Sequence, residues 1–246
     1  MGNHVIGGHD DIVAGGPGLK LGQEVLVAGK GVINYLDPIL LFVFREQIRV
    51  NVPNSYRRGI ELEGALEANN WLTINGNASF SQNKVLDFTE YIDNWDTYGQ
   101  EIVKHGNTDI AFSPNAIANV SAVFTLLKKG KNELVMTPSV KYVGRQFIDN
   151  TSNANASLPA YNYANLQILY KMQFRKIKNI TAKLLINNIF DKKYASNAWA
   201  YRFVSPSYNP VADDPYSRLE GQNTYNQTGY FPQAGRHFLV GLSADF

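Results

Sequence analysis

The chain has 246 residues, of which 18% are charged and 12% aromatic, and its formal net charge is +2. This balance, without a dense stripe of Lys and Arg, gives no basis for a nucleic-acid partner. The absence of cysteine excludes disulfides, thiolate metal sites and a cysteine nucleophile. The longest apolar run, Ile39–Phe44, is far shorter than the roughly 20 residues that a membrane-spanning helix needs.

Residues 1–34 form the first of two predicted regions. They are rich in glycine and show neither a secretory signal nor a periodic pattern, so we predict irregular or disordered chain. Potential metal ligands occur here, namely His4, His9, Asp10 and Asp11. No surrounding scaffold would fix their geometry, and we therefore predict no metal site and no cofactor.

Residues 35–246 form the second region, in which apolar and polar residues alternate. A period of two is that of a β-strand whose two faces meet different surroundings. Pro138 interrupts one segment and weakens the prediction of a strand there. The alternating segments are residues 39–50, 60–67, 72–80, 118–126, 134–142, 163–174, 179–189 and 238–246.

The connections between these segments alternate between short and long. The short ones are residues 69–70, 128–132 and 175–179, and the long ones are residues 85–115, 146–161 and 190–235. Outer-membrane barrels have short periplasmic turns and longer extracellular loops, whereas nothing forces this order on a soluble sandwich. The sequence therefore predicts an all-β fold: an antiparallel transmembrane β-barrel segment of about eight strands in the cell outer membrane of a Gram-negative bacterium.

Aromatic residues in the long loops are the candidate ligand-binding residues: Trp95 and Tyr98 in one loop, Trp199 and Tyr201 in another. Such rings offer stacking faces with polar tips, which suit sugars or catecholate-like ligands. The alternative is that they belong to an interfacial aromatic girdle or pack the loops on themselves.

Catalytic motifs are absent from the sequence. It contains neither a G-x-S-x-G segment nor a phosphate-binding glycine loop. The acidic residues Glu61, Glu63 and Glu67 share one strand face, and we interpret them as hydrated charges rather than as a catalytic pair. We therefore predict that the protein is not an enzyme.

Three segments carry motifs of defined spacing. Ile186–Tyr194, INNIFDKKY, fits the pattern N-N-[LI]-F-D-K-x-Y. Tyr230–Phe246 fits P-x-x-G-R-x-[FY] followed by a terminal Phe, and Asn51–Glu63 fits N-x-x-x-[AS]-x-x-x-G-[IV]-E-L-E. In this respect the chain resembles TonB-dependent outer-membrane receptors, in which the second pattern belongs to the closing strand and the third to an internal strand.

The resemblance implies uptake of a scarce nutrient, first of all an iron–siderophore ligand. It implies as partners the outer-membrane lipid, the TonB system that energises a full-length receptor, a ferric siderophore, and the barrel-assembly machinery, which reads Phe238 and Phe246 as a C-terminal signal. Family members have a plug domain and barrels of about 22 strands. The chain is therefore expected to be the C-terminal barrel portion of such a receptor, truncated and without the plug.

A self-contained eight-stranded barrel with a structural or surface-adhesion role is the alternative function. Such a barrel would pair the segment at residues 39–50 with the last strand, whereas a receptor portion would leave both sheet edges open.

Overall fold

A computed structural model describes residues 33–34, 41–44, 54–174 and 177–245. Residues 1–32, which include the four potential metal ligands near the N-terminus, and Phe246 lie outside the described residues. Within the described ranges, no helix is long and apolar enough to cross a membrane. In chain order the strands are β1 Ile33–Asn34, β2 Leu41–Phe44, β3 Ser55–Asn69, β4 Leu72–Val85, β5 Thr89–Asn94, β6 Gly99–Lys104, β7 Thr108–Asp109, β8 Ala116–Lys129, β9 Asn132–Val143, β10 Gln146–Phe147, β11 Ser157–Leu158, β12 Tyr161–Phe174, β13 Ile177–Asn187, β14 Ala195–Val204, β15 Ser217–Gly221, β16 Thr224–Pro232 and β17 His237–Asp245, with a short 3₁₀ helix at Pro210–Ala212 before β15.

The main sheet has the order β3-β4-β8-β9-β12-β13-β17, with antiparallel neighbours throughout. β2 pairs antiparallel with β3, and β1 pairs parallel with the same strand. Each of the eight alternating segments overlaps one of these strands, and of residues 39–50 only Leu41–Phe44 lie among the described residues. The prediction of an all-β antiparallel fold is confirmed.

The register aligns the apolar positions of neighbouring strands on one face of the main sheet. One row across six strands consists of Leu72, Phe124, Met136, Ile168, Leu184 and Val240. A row on the opposite face consists of Asn75, Ser121, Ser139 and Asn165. The chain itself does not cover this face: Phe80 on β4, Val120 on β8 and Val240 on β17 are 53%, 52% and 83% exposed. A face of this kind requires an apolar surrounding other than the chain itself.

Pro138 remains inside β9. It lies opposite Leu166 on β12, but pairing with β8 breaks between the Ser121–Ser139 and Phe124–Met136 pairs. Proline has no backbone N–H to donate, so it interrupts the ladder on one side while the strand continues on the other.

The two edges of the main sheet do not meet in the described part of the chain. β2 pairs with β3, β17 pairs with β13, and no pairing joins β2 to β17. The sheet is open, as expected for a portion of a larger barrel and not for a closed eight-stranded one.

Candidate functional site in the loop sheet

Two of the three long connections contain strands that form a second sheet, which we call the loop sheet. Its order is β15-β16-β14-β5-β6. β5 and β6 belong to residues 86–115, and the other three strands belong to residues 188–236. The two connections are joined by a parallel pairing of β14 with β5, in which Phe203 lies opposite Asp93.

Local hydrogen bonds shape the turn between β5 and β6. The Asn94 side-chain oxygen accepts from the backbone N–H groups of Asp96 at 3.0 Å and Thr97 at 3.2 Å. Tyr98 then takes a left-handed backbone with φ of 58°. This conformation is uncommon for an aromatic residue, and such strain concentrates at functional positions.

One side of the loop sheet is rich in aromatic rings, and we call it the aromatic face. A single row crosses all five strands and consists of Leu219, Tyr225, Phe203, Asp93 and Gln100. The Trp95 ring covers Phe203, with ring centroids 3.8 Å apart and planes 9° apart. Phe203 is therefore fully buried, and its ring stacks against those of Trp95, Tyr201 and Tyr225.

A chain of hydrogen bonds links the polar groups of the aromatic face. Trp95 Nε1 donates to Tyr201 Oη at 3.2 Å, and the Tyr201 hydroxyl donates to Asp93 Oδ2 at 3.0 Å. Gln100 Nε2 donates to the other carboxylate oxygen of Asp93 at 2.9 Å. The hydrogen bonds from Gln100 and Tyr201 lower the pKa of Asp93, whereas burial raises the pKa of Tyr201. Asp93 is therefore ionised at neutral pH.

The four predicted ligand-binding residues all lie in or beside the loop sheet. Trp95 and Tyr201 are in direct contact, although they are 106 residues apart in sequence. Trp199 lies on the same face of β14 as Tyr201, opposite Gly229, and is 45% exposed. Tyr98 is 96% exposed at the turn. Trp95 thus also packs the loops together, whereas Trp199 and Tyr98 present free ring surface.

Glycine at position 229 makes room for the Trp199 ring. A Cβ atom on Gly229 would lie 2.2 Å from Trp199 Nε1, so the indole packs directly on the backbone of β16. Any side chain at position 229 would displace the ring.

The other side of the loop sheet carries paired charges, a feature that the sequence analysis missed. The Arg202 side chain donates to Glu90 at 2.8 Å and to Glu220 at 2.9 Å. Asn153, from the third long connection, donates to both oxygens of Glu220 at 2.8 and 2.9 Å. The three long connections are therefore tied at one cluster, and the side chains of Arg202, Glu90 and Glu220 are only 9–12% exposed.

Within the described residues, no group of three or more His, Asp or Glu side chains could hold a metal ion. Phe238, which with Phe246 was predicted to be the C-terminal signal for barrel assembly, lies on β17 and is 62% exposed. It is opposite Ile186 and therefore belongs to the apolar face of the main sheet.

Comparison with known proteins agrees with this architecture. The family model described as TonB dependent receptor-like, beta-barrel, matches residues 16–189, more than two thirds of the chain. The chain belongs to the TonB-dependent receptor family, whose members are transport receptors and outer-membrane barrels of Gram-negative bacteria.

Solved structures show the same fold at low sequence identity. The siderophore receptor PiuA from Acinetobacter baumannii matches with a TM-score of 0.51 and 14% identity, over 82% of this chain and 25% of its own. BauA, the ferric preacinetobactin receptor from Acinetobacter baumannii, matches with a TM-score of 0.52 and 14% identity, over 83% of this chain and 26% of its own. The chain thus spans about a quarter of the length of these receptors. No curated protein sequence matches the chain.

Proposed function

We propose that the chain forms part of the barrel of a Gram-negative outer-membrane receptor that imports an iron–siderophore complex. The observation that carries this proposal is the aromatic face, which two long loops build together beyond the main sheet of a receptor-family barrel. The names of the two matching receptors, one for siderophores and one for ferric preacinetobactin, support the choice of ligand class.

The main sheet supports a membrane location. Its apolar face is exposed and continuous across the strands, as lipid contact requires. Its opposite face carries Glu61, Glu63 and Glu67 on β3 and Lys183 on β13, which suits a hydrated lumen. The open edges of the sheet need further strands in lipid, because unpaired backbone groups are not tolerated there.

The ligand-binding role falls to Trp95, Tyr98, Trp199 and Tyr201. Trp199 and Tyr98 offer exposed ring surface, and Tyr201 is held by hydrogen bonds to Trp95 and Asp93. Rings fixed in this way lose little conformational entropy when a ligand stacks on them. The proposal further includes the TonB energy-coupling system as partner of the whole receptor, and the last strand, with Phe238 and Phe246, as the signal for the barrel-assembly machinery.

Site-specific labelling tests the topology. Because the chain contains no cysteine, Tyr98→Cys and Lys131→Cys each give the chain one thiol. Tyr98 lies in the turn between β5 and β6, and Lys131 lies in the short turn between β8 and β9. On intact cells, a membrane-impermeant maleimide should label Tyr98→Cys alone. It should label Lys131→Cys only after the outer membrane is permeabilised, and the reverse result would contradict the proposed location.

Uptake of radioactive iron tests the function. Cells that depend on this protein should accumulate a ferric siderophore only when TonB is present. Trp199→Ala should lower uptake, whereas Trp71→Ala, in the short turn before β4, should not once uptake is normalised to the amount of receptor at the surface. Equal uptake with and without TonB would contradict the proposal.

A further inference from the structure

Charges on the two sides of the loop sheet are compensated in different ways. On one side, Arg202 forms ion pairs with both Glu90 and Glu220. The aromatic face and its rim carry four carboxylates, Asp93, Asp96, Asp213 and Asp214. None of the ion pairs in the described part of the chain includes any of these four.

Neutral donors satisfy these carboxylates instead. Asp96 accepts from the Ser207 backbone N–H at 2.7 Å and from the Ser207 hydroxyl at 2.9 Å. Asp213 accepts from the Tyr208 hydroxyl. Asp93, as described above, accepts from the Tyr201 hydroxyl and the Gln100 amide.

Asp214 lies beside the row that contains Tyr201. It accepts hydrogen bonds from the Ser217 hydroxyl at 2.8 Å and from the Gln227 amide. Ser217 lies opposite Gln227, and Gln227 lies opposite Tyr201. Asp93 and Asp214 therefore flank Tyr201 on its two sides. Hydrogen bonds, led by that from the Tyr216 backbone N–H, lower the pKa of Asp214, so that this carboxyl is also ionised at neutral pH.

Nearby cations do not neutralise these charges. Lys104 lies on the aromatic face, opposite Thr89 at the end of β6 farthest from the turn. Arg218 lies opposite Asn226 and hence on the other face. The two connections that build the loop sheet, residues 86–115 and 188–236, together contain ten acidic residues and six Lys or Arg residues. Hydrogen bonds from neutral groups stabilise a carboxylate without cancelling its charge, so the aromatic face has a negative potential.

We propose that the aromatic face selects a ligand that carries a positively charged ammonium group. This inference rests on the proposed function and names the class of complex that the receptor takes up. A cation gains from the carboxylates Asp93 and Asp214 and from the ring faces of Tyr201 and Trp199. A ferric tris-catecholate, with its threefold negative charge, is repelled by the same groups.

Three probes separate charge from shape. The first is the ferric complex of a linear trihydroxamate with one free ammonium group, and the second is its N-acetylated derivative, which has the same chelate without the charge. The third is a ferric tris-catecholate. Binding of each radiolabelled probe is measured on intact cells at 0 °C, where adsorption is separated from transport. The ammonium probe should bind most tightly, and its affinity should fall as salt is raised because the attraction is screened.

Matched variants locate the effect. Asp93→Asn keeps an oxygen that can accept from Tyr201 and removes the charge, and it should weaken binding of the ammonium probe about two- to five-fold, the range of a solvent-accessible ion pair. Binding of the acetylated probe should not change. Asp87→Asn is the control: it removes the same charge from the turn between β4 and β5, where the left-handed backbone of Asp87 (φ 54°) accepts asparagine.

The outcomes are distinguishable. Equal affinity for the ammonium and acetylated probes, tighter binding of the tris-catecholate, or equal effects of Asp93→Asn and Asp87→Asn would overturn the inference and leave the proposed function in place. If no probe binds to cells that carry the unsubstituted receptor in their outer-membrane fraction, as detected with an antibody, the proposed function fails and the inference fails with it.

Discussion

The Asp191 carboxylate accepts a hydrogen bond of 2.8 Å from the backbone N–H of Arg236. This contact joins the segment that follows β13 to the segment that precedes β17, at the two ends of the longest connection in the chain. Asn188 adds to it, because its side-chain amide donates to the backbone oxygens of Lys192 at 2.9 Å and Ala234 at 3.3 Å. The N-N-I-F-D and P-x-x-G-R motifs are therefore hydrogen-bonded to each other where the long connection leaves β13 and returns to β17. We call this set of contacts the clasp.

Asp191→Ala should weaken this clasp. The substitution removes the acceptor for the Arg236 N–H, and alanine fits poorly at the left-handed backbone of Asp191, where φ is 52°. We expect the free energy of unfolding to fall by about 1–3 kcal/mol, measured as a shift of the thermal transition of the receptor by heat-dependent gel migration. Asp191→Asn, which keeps an acceptor oxygen and tolerates this backbone, is the control and should remain close to the wild type.

Gly235→Ala should strain the same clasp from the other side. A Cβ atom at position 235 would lie 2.5 Å from Asp191 Oδ1, so the carboxylate would have to move. We expect a loss of about 1–3 kcal/mol by the same measurement, and combining Gly235→Ala with Asp191→Ala should cost less than the sum of the two. Gly106→Ala, which has no atom within 4 Å of the new methyl group, is the control. Strict additivity in the double variant would contradict the contact.

The main sheet could be predicted from the sequence because its strands alternate and pair with their neighbours along the chain. The clasp could be predicted only in part: the sequence places Asn188 at a strand end, but not its contact with Ala234. The loop sheet was not predicted as strands at all. Its key pairing joins Asp93 to Phe203, which are 110 positions apart, and parallel pairing between two loops leaves no signal in local periodicity.

The candidate site shows the same division. Aromatic composition marked Trp95 and Tyr201 as candidates, and both lie on the aromatic face. Asp93 and Gln100 were not predicted as site residues, because a single carboxylate or amide in a loop forms no recognisable sequence pattern. Arg202 was missed for the same reason, since its partners Glu90 and Glu220 come from strands that only the fold brings together.

Arg202→Met should loosen all three long connections at once. It leaves Glu220 without its cation and Glu90 with only its 2.7 Å contact to His105, at sites that are 9–11% exposed, and breaking a buried pair costs about 3–5 kcal/mol. Limited proteolysis on intact cells should therefore cut within residues 86–115, 144–160 and 188–236, while the main sheet stays protected. Arg218→Met, which removes an exposed arginine from the same sheet, is the control, and an equal effect of both variants would contradict the role of Arg202.

The aromatic face should lose order in acid. The pKa of Asp93 is lowered by its hydrogen bonds from an ordinary value of 3.8. A carboxyl whose folded-state pKa is lowered stabilises the fold above its ordinary pKa, and this contribution disappears as the pH falls through the lowered value. The Tyr201 and Trp95 contacts should therefore weaken below about pH 3.8 and be unaffected between pH 5 and pH 8.

Fluorescence can follow this change at one ring. The chain has three tryptophans. Trp71→Phe with Trp199→Phe therefore leaves Trp95 as the only indole among these 246 residues, stacked on Phe203 and hydrogen-bonded to Tyr201. In this background the emission should shift on acidification, and Asp93→Asn should already show part of the shift at neutral pH. Asp87→Asn should follow the parent curve. A transition at neutral pH, or one that Asp93→Asn leaves unchanged, would show that another group controls the packing of Trp95.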